Sequence, residues 1–168
     1  MKTFNYISTL CTALLLGTLT MVSSCDKDDE FTIENKAVTG DLTFVRTAFI
    51  PLSFDSTGLI PLSAQISMEG TGTLTDIGDV LFETTFKIDL VLGMGTDFVT
   101  TYTGSSPGDT FSSTGTSQAQ PNGTFLVQDN LGSGTGKFSK ISGVGTTTVS
   151  LNQAQDAGTA TMAWTVTY

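Results

Sequence analysis

The run Gly132-Ser133-Gly134-Thr135-Gly136-Lys137 looks at first like a phosphate cradle, because backbone N–H groups of a glycine-rich loop and a terminal lysine bind phosphate together. The spacing rules it out. The run is one residue short of G-x4-G-K, and Phe138 stands where a hydroxyl would meet magnesium. A β pattern surrounds it where a helix should follow, so a turn with Lys137 in solvent accounts for it. The acids Asp76 and Asp79, with Glu69 and Glu83 near them in sequence, suggest calcium or acid–base work on a glycan. No spaced D-x-D-x-D loop supports a metal, and any acidic chain offers such pairs. Ser139 and Lys140 form no nucleophile–base dyad if they are neighbours in a strand, since they then point to opposite faces. The chain has no histidine, which excludes Ser-His-Asp and Cys-His catalysis and histidine-ligated metals. This reading assigns no catalytic residue, no metal ligand and no cofactor.

Cysteine supplies the clearest chemistry. Of the two in the chain, Cys11 lies in an N-terminal apolar run and Cys25 follows Val22-Ser23-Ser24. Lys2 gives a positive start, Leu10 to Val22 an apolar stretch, and Ser23-Ser24 small residues beside a cut. The stretch is shorter than the roughly 20 residues that span a bilayer. Val22-Ser23-Ser24-Cys25 resembles the lipobox of bacterial lipoproteins. The resemblance implies a signal peptide over residues 1–24, cleavage before Cys25, and lipid on that cysteine. Several acyl chains on one residue anchor a protein firmly without spanning the membrane. Cleavage removes Cys11 and lipidation uses Cys25, so the domain beyond has no disulfide and no thiol.

Asp26-Lys27-Asp28-Asp29-Glu30 follows at once. One reading is a solvated, self-repelling tether, part of a segment 25–38 that stands the domain off the lipid surface. Another is an address. The acids with a lysine resemble the export signal of surface lipoproteins in Bacteroidetes-type bacteria, which implies an outer-membrane location facing the exterior. Asp26 directly after the cysteine also resembles the inner-membrane retention signal of enteric bacteria, which implies the opposite.

The chain has 168 residues and a formal net charge of −9 at pH 7. Residues 39–168 make one domain, large enough to bury about two thirds of its unfolded surface. An acidic surface without a basic groove excludes nucleic acid as a partner.

The elements that must position any site are strands. Leu62, Ala64, Ile66 and Met68 alternate with polar neighbours. Val80, Phe82, Phe86, Ile88 and Leu90 share a face opposite Glu83, Thr85, Lys87 and Asp89. Ala160, Met162, Trp164, Val166 and Tyr168 alternate with Thr159, Thr161, Ala163, Thr165 and Thr167. Weaker strands are predicted over 42–50, 98–103, 110–118, 124–128 and 144–151. Turns fall at Ser56-Thr57-Gly58, Asp76 to Asp79, Gly93-Met94-Gly95, Ser106 to Asp109, Pro121-Asn122-Gly123 and Asp156-Ala157-Gly158. Asn122-Gly123-Thr124 has the form of a glycosylation sequon, and a hairpin turn explains it fully. About eight short strands predict an all-β barrel or sandwich, with no sustained helical period.

Three spaced motifs then resemble the allene-oxide-cyclase-like barrels, a calycin-type group. They are Gly70-Thr71-Gly72-Thr73-Leu74-Thr75-Asp76-Ile77-Gly78, then Pro107-Gly108-Asp109, then Gly134-Thr135-Gly136-Lys137-Phe138 followed by Ser142-Gly143-Val144-Gly145. The resemblance implies a single antiparallel barrel of about eight strands. Asp76 replaces the histidine usual in the first motif, so the resemblance carries no catalytic residue.

Three functions are open at this point. The first is a non-catalytic surface lipoprotein that binds an envelope or extracellular partner. The second is a carrier of a small apolar ligand in the lumen, where Phe82, Phe86, Met162 and Trp164 are the expected contacts if the interior is not simply filled. The third is a cyclase- or isomerase-like enzyme by fold analogy. Asp55-Ser56-Thr57 resembles the O-glycosylation motif of Bacteroidetes, which makes Ser56 a candidate modification site in an exposed loop.

Overall fold

The computed structural model describes residues 35–167. The lipobox-like run Val22 to Cys25, the acidic run Asp26 to Glu30 and the terminal Tyr168 lie outside the described residues. Alternating apolar and polar side chains form eight strands, β1 (Lys36–Phe54), β2 (Pro61–Leu74), β3 (Gly78–Asp89), β4 (Met94–Thr103), β5 (Thr110–Ala119), β6 (Phe125–Gly132), β7 (Ser142–Leu151) and β8 (Ala157–Thr167). Each pairs antiparallel with the next, and β8 returns to β1, closing the sheet into one barrel. Closure removes the sheet edge over Lys36 to Val45, where β1 meets β8, while the stretch of β1 from Ala48 to Phe54 is paired with β2 alone.

The β3 alternation stands as the sequence implies. Val80, Phe82, Phe86 and Ile88 are buried, and Glu83, Thr85 and Lys87 are exposed. Leu90 differs, because the strand ends at Asp89 and Leu90 lies exposed in the following turn. On β8, Ala160, Met162, Trp164 and Val166 all face inward. Strand β1 begins at Lys36, three residues inside the segment assigned to the tether. Its inward row starts at Val38, fully buried and opposite Trp164. Strand β6 continues past Gln128 to Gly132, since Val127, Asp129 and Leu131 keep the inward alternation. Ser139 and Lys140 lie in the connection between strands, not on a strand, so the opposite-faces argument does not apply to them.

The two ends of the barrel are built differently. One carries the β2–β3, β4–β5 and β6–β7 connections, and the last of these holds a 3₁₀ turn over Gly136–Phe138. The three motifs meet here. Thr135 donates its hydroxyl to the Gly108 carbonyl at 2.7 Å, and the Lys137 N–H donates to the Asp109 carboxylate at 3.0 Å. Lys137 Nζ reaches the Ile77 carbonyl at 3.4 Å. These contacts press Phe138 into the barrel, where it is fully buried edge-on to Phe111. Tyr102 stacks on Phe111 at 4.7 Å and meets Trp164 edge-on at 5.4 Å. This aromatic plug closes the end. The glycine-lysine run is therefore a structural clasp.

The other end carries the four remaining connections, over residues 55–60, 90–93, 120–124 and 152–156. No large side chain of these turns is buried across the opening. A smaller apolar cluster of Ala64, Phe86, Ile88, Phe98 and Val127 lines the wall below it.

Candidate functional site

The lumen below the open end holds a cavity of about 250 Å³. Its wall comes from alternate positions on most of the strands, among them Phe44, Ile66, Met68, Phe86, Phe98 and Val149. Phe86 and Phe98 stack at 4.2 Å and stiffen one side. Polar groups are few. Arg46 stands at the mouth with its guanidinium 5.4 Å over the Phe49 ring. Deeper in, a chamber of about 50 Å³ shares Phe44, Met68, Phe98, Val127 and Val149 with the first. It also touches Thr84, Thr100, Tyr102, Asp129 and Thr147. The lumen thus has an apolar sleeve, a polar floor and an aromatic plug beneath.

The floor is a connected hydrogen-bond belt. Thr100 donates to Thr84 at 2.8 Å. Tyr102 bonds with Thr100 and Ser113. Ser113 donates to Asp129 Oδ1 at 3.4 Å, while Thr147 at 2.6 Å and the Trp164 indole at 3.2 Å donate to Oδ2. Every described buried side-chain polar atom in the barrel has a partner. Asp129 is only 6% exposed. Burial lifts its carboxyl above the ordinary carboxylate range, and the donors from Thr147, Trp164 and Ser113 oppose that shift. Burial also raises the Tyr102 phenol, helped by the Asp129 charge nearby.

The sequence-derived candidates divide among these layers. Phe86 lines the main cavity, and Phe82 and Met162 line the floor chamber. Trp164 sits lower, in the plug, where it braces Asp129. Ser56 is exposed at the tip of the β1–β2 turn. The neighbouring Asp55 carboxylate accepts the Thr57 hydroxyl at 2.8 Å, and these bonds hold it below its ordinary range. Glu69 and Glu83 face each other on the outer wall, and Asp79 accepts the Thr73 hydroxyl at 2.6 Å. Asp76 occupies a turn position at φ 61°. Among the described residues no group of three or more acids, cysteines or histidines gathers around a metal-sized site.

Asp129, Thr84 and Thr100 are the residues that sequence reading passed over. A signal for them exists. Asp129 is a carboxylate in an inward row, between Val127 and Leu131. Thr84 fills the inward gap between Phe82 and Phe86. Arg46 carries the same signal, as the next inward position after Leu42 and Phe44, but its place at the mouth depends on how far the strand runs beyond the closed wall.

No family model, no curated protein and no solved structure matches the chain. A concave, mostly apolar cavity with a few convergent polar groups is the usual form of a small-molecule site.

Proposed function

We propose that this chain is a lipid-anchored, surface-displayed lipoprotein whose barrel binds a small apolar molecule in its lumen without transforming it. The observation that carries the binding reading is the cavity of about 250 Å³ below the open end, walled by apolar side chains. An interior with no binding role would be packed to crystal-like density, because each void forfeits contacts. The polar belt beneath supports the same reading, since it gives a bound molecule one end to orient against. The lipobox and acidic run support the anchor and the surface location. The three motifs, gathered at one end of an eight-stranded barrel, support kinship with the allene-oxide-cyclase-like group.

A direct test uses N-phenyl-1-naphthylamine, a neutral dye that brightens in apolar sites. The protein should bind one dye per barrel. Val149→Trp, which places an indole into the cavity wall, should abolish binding while preserving a cooperative melt. Failure of the unmodified protein to bind the dye or any other apolar probe rejects the reading.

A second reading rests on a different observation. Leu59 and Ile60 on the β1–β2 turn, and Val91 and Leu92 on the β3–β4 turn, are at least 61% exposed at the open end. Leu90 donates its N–H to the Leu62 carbonyl at 2.9 Å, which sets the two turns side by side. This apolar rim fits an envelope protein as partner. Replacing Leu59 and Val91 with Ser should abolish such an association and leave dye binding intact.

A further inference from the structure

We propose that the lumen takes an organic cation, a primary ammonium head on a small apolar body, with the head at Asp129 and the body in the sleeve above. This rests on the lumen-binding reading and names the chemical class of its ligand.

Four observations converge on that head group. The first is the uneven supply of donors to Asp129. Oδ2 receives Thr147 and Trp164, whereas Oδ1 receives only Ser113 at 3.4 Å, near the outer limit for such a bond. Oδ1 has lone pairs to give. The second is the company around the chamber. Phe82, Phe98 and Tyr102 line it together with the hydroxyls of Thr84 and Thr100. Aromatic faces attract ammonium groups, and hydroxyl oxygens accept their N–H bonds. The third is the placing of the protein's own cations. Lys36, Lys87, Lys137 and Lys140 are exposed on the outside, and Arg46 stands at the mouth. Among the described residues none of these cations is placed as counter-ion to the floor carboxyl. The fourth is the net charge of −9, which raises the local concentration of cations. A chamber of about 50 Å³ suits a compact head, and the wider cavity above suits an alkyl or aryl body.

A buried charge pair is stable only when its geometry is good and its remaining N–H groups find acceptors. The floor supplies them from three strands, through Thr84 on β3, Thr100 on β4 and Asp129 on β6. Burial favours the protonated carboxyl, and an ammonium head takes over the role of that proton. The rival arrangement reverses the ligand, with an anionic head at Arg46.

The test displaces N-phenyl-1-naphthylamine from the full chain with octylamine, octan-1-ol and octanoate. Octylamine should bind at least about tenfold more tightly than octan-1-ol, the difference expected for a hydrogen-bonded charge pair. Asp129→Asn should erase that preference. Equal binding of amine and alcohol overturns the proposal. So does tightest binding of octanoate with loss in Arg46→Gln, which assigns an anionic ligand instead. A second measurement needs no variant. The Asp129 carboxyl carbon-13 resonance should move on adding octylamine and stay in place with octan-1-ol; an unmoved resonance overturns the proposal. If the dye itself does not bind, the lumen reading fails first. If the dye binds and octylamine does not displace it, only the cation proposal fails.

Discussion

Asp129 shows how one side chain ties the fold to its chemistry. An apolar residue at its place would pack against Val127 and Leu131 and leave Thr147, the Trp164 indole and Ser113 without an acceptor. Those orphaned donors would cost about 1–3 kcal/mol each. The carboxyl carries its own cost, which depends on pH. A buried acid whose folded-state pKa is raised binds its proton more tightly in the native protein than in the unfolded chain. Its contribution to stability is greatest below the unfolded pKa of about 4 and is lost as pH rises through the folded-state value. An asparagine side chain at the same place would not titrate. The stability of Asp129→Asn relative to the unmodified protein should therefore improve from pH 4 to pH 8. Urea melts across that range measure it, and parallel pH curves would show that Asp129 is not held protonated by burial.

At the scale of elements, the two ends of the barrel answer to different physics. The plug end is fixed by a short turn clasped through Thr135, Lys137 and Asp109, with Phe138 as its apolar face. Truncating a fully buried aromatic leaves a cavity, so Phe138→Ala should cost about 3–5 kcal/mol in a chemical melt. A cost under 1 kcal/mol would mean that the turn does not seal the barrel. The wall depends on close backbone approach instead. A Cβ on Gly72 would collide with the Asp41 carbonyl and the Leu42 side chain on β1. Gly72→Ala should therefore destabilise by about 1–3 kcal/mol. Gly108→Ala belongs to the same motif set but meets nothing within 4 Å, and it should stay within about 0.5 kcal/mol. Equal effects at the two glycines would contradict the register of β1 against β2.

For the molecule as a whole, the issue is where the barrel is held. Cys25→Ser should abolish fatty-acid labelling and release the protein from membranes; persistence in the membrane pellet after a salt wash contradicts lipid anchoring. Replacing Lys27, Asp28 and Asp29 with Ala separates address from tether. If the run is an address, lipidation survives and the domain leaves the cell surface. If it is only a solvated spacer, protease access on intact cells stays unchanged. Inaccessibility of the unmodified protein would favour retention through Asp26.

The strand content of the barrel was legible because a period of two writes itself directly into residue order. Val80 to Ile88 and Ala160 to Val166 read as half-buried strands from their side chains alone. Turn chemistry was equally local, as at Asn122, whose side chain accepts from Thr124 within the same turn. The exclusion of histidine and thiol chemistry in the domain likewise needed only the sequence. Closure was another matter. Whether eight strands make a barrel or a sandwich depends on the pairing of β1 with β8, more than 100 residues apart. That long-range pairing also made the site. Alternation placed Trp164 inward and left Asp129, Thr84 and Thr100 unremarked, and only closure brought strands β3, β4, β6 and β8 around one chamber. The sequence determines which side of each strand is dry; the tertiary structure decides which dry sides meet and how much space is left between them.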